Sequence, residues 1–274
     1  MKLLPVTRAS DLSLEGPQTQ WLIEELWAEE AVGILGGEPK CCKTFLALDM
    51  AVSVASGTPC LRRFPVRQQG TVLLFPAEDS LAVVRQRLEG ISAAAGLSLR
   101  ALPIEVITAP ALRLDRVADT ELLANTVQSI QPSLLILDPL IRLHRVEEND
   151  ATQMAALLSF LRHLQRSFHL AIVVVHHARK GASGRPGQGL RGSSELHGWG
   201  DSNLYLRRRG DALNLCTEHR AAASREDISL QLIEENSTLS LALCASQSRD
   251  SPEGSPSKPT PLQRVRDALA GLDH

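Results

Sequence analysis

Between residues 31 and 177 short apolar runs take turns with helix-spaced segments. "AVGILG" leads into a helical pattern over 44–57, "GTVLLFPAE" into one over 80–96, "LPIEVIT" into one over 117–130 and "PSLLILD" into one over 151–167, before "LAIVVVHH" closes the series. Apolar runs of this length bounded by turns predict strands buried on both faces, and intervening helices predict a mostly parallel sheet covered on both sides. All five strands are expected to be of the buried type. Beyond Arg191 the period changes: "SNLYLRR", "ALNLCTEH", "ISLQLIEE" and "STLSLALC" alternate polar and apolar residues, with "RRRGD" and "EENS" as turns. That alternation predicts an antiparallel meander appended to the sheet, and "RRRGD" reads as a solvated hairpin turn. The fold class expected is α/β, with a mostly parallel central sheet and a C-terminal antiparallel extension.

The flanks read differently. Residues 1–30 form an N-terminal lead-in strap, in which "QWLIEELW" predicts a short amphipathic piece with Trp21, Leu22 and Leu26 on one face. Residues 31–244 make one domain. The segment 245–261, "ASQSRDSPEGSPSKPTP", is rich in Ser, Pro and charge and reads as a linker; "PLQRVRDALAGLDH" after it begins on proline with helical spacing, either a recruitment helix or a frayed end. Residues 245–274 are thus expected to be a flexible tail with a terminal helix.

Composition narrows the partners only slightly. In 274 residues, 29 Lys and Arg stand against 31 Asp and Glu, so any contact with nucleic acid must come from a local patch. Five cysteines without regular spacing match neither a disulfide framework nor a zinc site, and are expected to be reduced thiols in a cytoplasm. No apolar run reaches the length of a signal peptide or a membrane span, so no membrane association is expected.

Candidate chemistry gathers at the ends of the predicted strands. "GGEPKCCKT" (36–44) joins a strand to a helix and nearly fits G-x-x-x-x-G-K-[ST], with Gly37, Lys43 and Thr44 in place and Cys42 where the pattern has glycine. A helix N-terminus offers unpaired amides to phosphate, so Gly37, Glu38, Pro39, Lys40, Cys41, Cys42, Lys43, Thr44 and Phe45 are the candidate nucleotide cradle. Lys43 supplies a mobile charge and Thr44 a hydroxyl for magnesium; the alternative is an ordinary Gly/Pro turn. "LLILD" delivers Asp138 to the end of a buried strand, as a magnesium-side carboxylate or as a helix cap. "TVLLFPAEDS" does the same for Glu78, the candidate catalytic carboxylate, while Asp79 is expected to cap the helix beginning at Ser80. "VVVHHARKGASGRPGQGLRG" puts His176 and His177 at a strand end, followed by Arg179, Lys180, Arg185 and Arg191, either a loop for a phosphate backbone or a solvated surface.

The ordered set "GGEPKCCKT", "FPAEDS", "LLILDPLIRLHRVEENDA", "VVVHHARKG" and "LRGSSE" resembles the RecA-type core ATPases, and most closely the RepA-type hexameric helicases of plasmid replication and their AAA-family relatives in mobile elements. The resemblance covers about residues 20–245. It implies ATP and Mg2+ as cofactors, a homo-oligomeric, hexameric ring with ATP between neighbours, and a hydrolytic set of Lys43, Thr44, Asp138 and Glu78. It further implies a γ-phosphate sensor at His176 or His177, with His177 chosen, and a loop carrying Arg179, Lys180, Arg185 and Arg191 against single-stranded DNA. "CTEHRAA" places Arg220 where such rings carry an arginine finger, with Arg207, Arg208 and Arg209 as rivals. "ELHGWGDS", where the RepA-type pattern has a further arginine, has none. The tail is a candidate surface for a replication or recombination partner.

The function expected is an ATP-hydrolysing motor on DNA, with a nucleotide-switched binding protein that unwinds nothing as the alternative. A helix N-terminus and Lys43 are expected to stabilise a thiolate at Cys42.

Overall fold

A computed structural model of the chain describes residues 5–11, 20–147, 150–177, 194–209, 212–225, 228–235 and 238–244, all within the compact unit Met1–Cys244. The predicted tail and the basic segment 178–193 lie outside the described residues.

The expected amphipathic piece near residue 21 is instead a small antiparallel pair, Trp21–Ile23 (β1) and Trp27–Ala28 (β2). Leu22, Ile23, Leu26 and Trp27 are all buried. A helix would offer one stripe of these four to the core, whereas a tight turn, with Glu25 at φ 63°, delivers them together.

The main elements follow as Val32–Gly37 (β3), Lys43–Ser56 (α1), Val72–Pro76 (β4), Leu81–Ala94 (α2), Ile104–Val106 (β5), Val117–Ile130 (α3), Leu134–Asp138 (β6), Ala151–Phe168 (α4) and Ala171–His177 (β7). Then come Ser194–Trp199 (α5), Ser202–Arg209 (β8), Ala212–His219 (β9), Ile228–Glu235 (β10) and Thr238–Leu243 (β11). One nine-stranded sheet runs β11-β10-β9-β8-β3-β7-β6-β4-β5. The six strands from β8 to β5 are parallel, and β9, β10 and β11 continue the sheet antiparallel. The expected α/β class and C-terminal extension are both present.

Two details differ from expectation. β5 is the sheet edge, with Glu105 exposed and its neighbours half-buried, so its apolar run is not of the buried type. The meander is preceded by α5, and its first strand pairs parallel to β3, with Leu35 opposite Leu204 and Gly37 opposite Leu206. "RRR" therefore continues β8 instead of forming a turn.

The core lies in two layers. On one face α1, α2 and the β1–β2 pair bury Leu46, Met50, Val84, Leu88 and Trp27; on the other, α3 and α4 bury Leu123, Val127, Met154, Leu157 and Leu161. α1 is buried on nearly every side, which its small residues Ala47, Ala51, Ser53 and Ala55 permit. α4 presents a single apolar stripe and starts at Asp150, whose side chain accepts from the Thr152 and Gln153 amides. Each large apolar side chain so buried contributes about 1.5–3 kcal/mol.

β3 and β8 approach so closely that a Cβ on Gly33 would lie 1.7 Å from the Ser202 carbonyl oxygen. Gly33→Ala should therefore destabilise the fold by at least ~2 kcal/mol in denaturant titration; a loss below ~0.5 kcal/mol would show that the two strands are not packed this way.

Candidate functional site

In a parallel sheet every strand points its C-terminal end to the same edge, where ligands of α/β proteins collect. The register places Pro76 opposite Asp138 and Gly37 opposite His177. Residues just beyond β3, β4, β6 and β7 thus converge, although about 140 residues separate the first from the last.

The phosphate-loop candidate leaves β3 at Gly37 and enters α1 at Lys43. A Cβ on Gly37 would lie 2.3 Å from the Leu206 carbonyl oxygen and 2.8 Å from Cys41 Sγ, at a φ of 156°, so glycine is required there. Lys40 and Cys42 both hold φ near 63°, a left-handed conformation that costs a side-chain-bearing residue about 1–2 kcal/mol. At Cys42 this explains the glycine of the general pattern. No side chain caps α1 and no acidic residue occupies its first turn, so the amides at its N-terminus face the loop uncompensated.

Lys43 is buried, and its ammonium donates to the Gly37 carbonyl at 3.0 Å and the Glu38 carbonyl at 2.7 Å. Burial lowers its pKa, while Cys41 and Asp138 oppose that shift. Thr44 Oγ1 donates to Asp138 Oδ2 at 2.8 Å, joining α1 to the end of β6. Burial pushes the Asp138 carboxyl up to about 6, against the Thr44 hydrogen bond that lowers it. Asp138 therefore binds the loop helix and caps none, which removes the alternative role. A hydroxyl and a carboxylate side by side are the hard oxygen donors that Mg2+ takes, and the uncapped amides suit a polyphosphate, so the residues present fit both groups.

Glu78 follows β4 and is half-exposed. One oxygen lies 3.6 Å from His177 Nε2 and the other 3.5 Å from Arg142 Nη2. Burial, with the Lys43 charge, lowers the His177 pKa, so its imidazole is neutral at pH 7. His176, on the opposite face of β7, is buried. Asp79 does not cap α2: Ser80 does, accepting from the Val83 amide, and Asp79 pairs with Arg87, whose guanidinium lies 5.1 Å from the Phe45 ring centroid. The serine prevails over Asp79 because its short side chain already sits at the cap.

The thiolate expectation is overturned. Burial raises the pKa of both Cys41 and Cys42 despite nearby Lys43, and both remain free thiols. Desolvation outweighs the cations because neither sulfur is open to water.

Arg220 lies at the other end of the sheet. Its guanidinium pairs with Asp201 at 3.1 Å and donates to the Gly198 carbonyl at 2.8 Å, and Asp201 accepts from the Val32 amide at the start of β3. Arg179, Lys180, Arg185 and Arg191 lie outside the described residues. The sequence reading missed Arg142, for which no local pattern signals a Glu78 contact, and the true position of Arg208, which donates to the Lys40 carbonyl at 3.2 Å. For Arg208 a signal existed: the period-two alternation Leu204, Leu206, Arg208 runs on through the arginines.

Comparison with known proteins adds a family and a fold. Residues 1–183 match the family described as AAA domain. Among solved structures, an ATPase domain determined on its own aligns at 15% identity over 77% of this chain and 85% of that one, with a TM-score of 0.60. A DnaB-like replicative helicase, solved with attention to its interactions with primase, aligns at 14% identity over 77% of this chain, TM-score 0.60; the match spans only 57% of that protein. The RadB recombinase aligns at 15% identity over 77% and 90% of the two chains, TM-score 0.56. At these identities the likeness establishes the RecA-like fold.

Because the folded pKa of Asp138, about 6, lies above its ordinary value of 3.8, its ionised form costs stability at pH 7, and that cost vanishes as the pH falls from about 6 towards 3.8. Asp138→Asn should stabilise the chain at pH 7, without divalent cations, by up to ~3 kcal/mol, and leave it unchanged near pH 4. Denaturant titration at both pH values tests this; an equal effect at the two would place the burial cost elsewhere.

Proposed function

The chain belongs to the AAA domain family, and on that footing we propose that it is a Mg2+-dependent ATPase acting as a ring-forming motor on DNA, a helicase of plasmid or mobile-element replication. The observation that carries this reading is the Thr44–Asp138 hydrogen bond, which brings the loop helix against the β6 carboxylate at the edge where Lys43 and Glu78 also stand.

In the proposed reaction the amides from Glu38 to Phe45 wrap the phosphates, and Lys43 exchanges its two carbonyl partners for phosphate oxygens. Thr44 and Asp138 would hold Mg2+, which when bound neutralises charge on the phosphates. Glu78 accepts a proton as water attacks the γ-phosphorus; a P–O bond to that water forms, the bond to the β–γ bridging oxygen breaks, and ADP and phosphate leave. Neutral His177 donates its N–H to a γ-phosphate oxygen. Arg220 acts on the active site of an adjacent subunit, stabilising the transferred charge there.

Arg179, Lys180, Arg185 and Arg191 meet single-stranded DNA in this reading, and the tail, residues 245–274, takes a replication or recombination partner. The cytoplasm is the compartment proposed; among the described residues no helix is long and apolar enough to cross a membrane.

A second reading, a nucleotide-switched binding protein without unwinding activity, is favoured by one observation. Glu78 is flanked by Arg142 and His177, so its carboxylate must leave two partners before it can orient water.

Steady-state ATP turnover with and without single-stranded DNA separates the two, since a motor is stimulated and a switch holds nucleotide with little turnover. Lys43→Ala should lose ATP binding. Glu78→Gln should keep it and slow turnover by ~10²-fold or more, and Arg220→Ala should keep it and slow turnover by ~10³-fold. Parent protein that neither binds nor hydrolyses ATP would end both readings.

The loop itself yields a separate test. Cys42→Gly should bind ATP at least as tightly as the parent and change stability by under ~1 kcal/mol, since relief of the left-handed conformation is offset by added freedom in the unfolded chain. A large loss of binding, measured by calorimetry, would mean that the loop is not the cradle.

A further inference from the structure

β8 runs past the end of β3. Leu206 sits opposite Gly37, so the next residue on the same sheet face, Arg208, projects beyond β3 over the loop that leaves it. Leu206 packs in the layer that contains α1, and Arg208 reaches the loop from that side. Its guanidinium donates to the Lys40 carbonyl at 3.2 Å, and among the described residues it meets no carboxylate. One carbonyl leaves most of its five N–H donors for another acceptor. Lys40 and Cys42, the two loop residues held in the left-handed conformation, lie on either side of Cys41, whose sulfur meets the Leu206 carbonyl at 3.5 Å. β8 is therefore the wall on which the strained part of the loop rests. Of the cations that draw on the Cys42 thiol, Arg208 acts most strongly, ahead of Arg87 and Lys43.

The strand order sets what Arg208 can reach. Glu78, Asp138 and His177 belong to β4, β6 and β7, all on one side of β3, whereas β8 is on the other. A cation on β8 faces the part of a nucleotide remote from the attacking water.

We propose that Arg208 is a nucleotide-binding residue of its own subunit, bracing Lys40 and giving its guanidinium to the phosphates that are not transferred. This rests on the nucleotide-binding reading above and goes beyond it. Arg208 is thereby separated from the arginine-finger role, which acts across a subunit boundary. Contact with the retained phosphates strengthens ATP and ADP alike and leaves adenosine unaffected, so the effect falls on KM and not on kcat.

The test begins with the parent chain, titrated with ATP, ADP and adenosine by calorimetry. Arg208→Ala should weaken ATP and ADP about tenfold each, the weight of one charge-assisted hydrogen bond, with adenosine unchanged. Arg208→Lys should recover part of that loss, because the charge returns without the planar fork. At saturating ATP, turnover of the alanine variant should stay within about threefold of the parent. Mixing supplies a second arm. If Arg208 serves its own loop, subunits carrying Lys43→Ala mixed with subunits carrying Arg208→Ala gain no tight site; if it serves a neighbour, tight sites return.

If the parent binds ATP and the alanine variant binds it equally well, this inference fails while the nucleotide-binding reading stands. Loss confined to kcat, or restored tight sites on mixing, would likewise overturn it in favour of a trans role. A parent that binds no nucleotide removes both.

Discussion

The hydrogen bond between Thr44 and Asp138 is the point at which two remote parts of the chain are held to one another at the site. It exists only because β3 and β6, separated in the sheet by β7, end at the same level, and that level is set by apolar side chains along their lengths. Slipping β6 by one residue would turn its alternate side chains to the opposite faces and carry Asp138 away from α1. The site is therefore specified by the packing of Leu134, Leu135, Ile136 and Leu137, none of which touches it.

The same packing sets the electrostatics. Lys43 and Asp138 are both buried, and burial moves both pKa values towards neutrality, the lysine down and the carboxyl up to about 6. Neither moves as far as burial alone would take it, since each draws the other's charged form forward. The arrangement is costly to the isolated fold and suited to a ligand with many negative charges and a divalent cation, which relieves both costs at once. Cys42 belongs to the same account, because a left-handed residue ahead of α1 turns amides inward and the side chain is tolerated at the expense of strain.

Much of this was legible in the sequence because burial on both faces writes a contiguous apolar run. β3, β4, β6 and β7 are such runs, and Gly37, Glu78, Asp138 and His177 stand at their ends. β5 carries a similar run yet lies at the edge, since periodicity reports apolar character and not a strand's place in the sheet. The hairpin at Trp21 was hidden because four apolar residues in seven fit a helical stripe as well as a tight turn. Asp79 and Ser80 are both good caps, and only coordinates show which is used. The arginines of β8 were obscured by the "GD" that follows them, a turn signal whose reach was read too far upstream. Arg142 illustrates a deeper limit: its contact with Glu78 joins two loops, and no local pattern encodes that.

Arg220 shows how the fold bears on assembly. It lies beside Asp201 and the start of β3, while the phosphate loop leaves the other end of that strand, roughly 16 Å away by strand rise. An arginine side chain does not span that distance, so Arg220 cannot serve the loop of its own subunit. Asp201 also holds Arg162, and one carboxylate facing two guanidinium groups leaves the cluster with an excess positive charge on the surface. Such a cluster is stable enough to stay folded and open enough to accept another anion. If Arg220 takes part in phosphoryl transfer, the anion must come from a second copy whose loop edge faces this end of the sheet, and the ring follows from where β3 begins and ends.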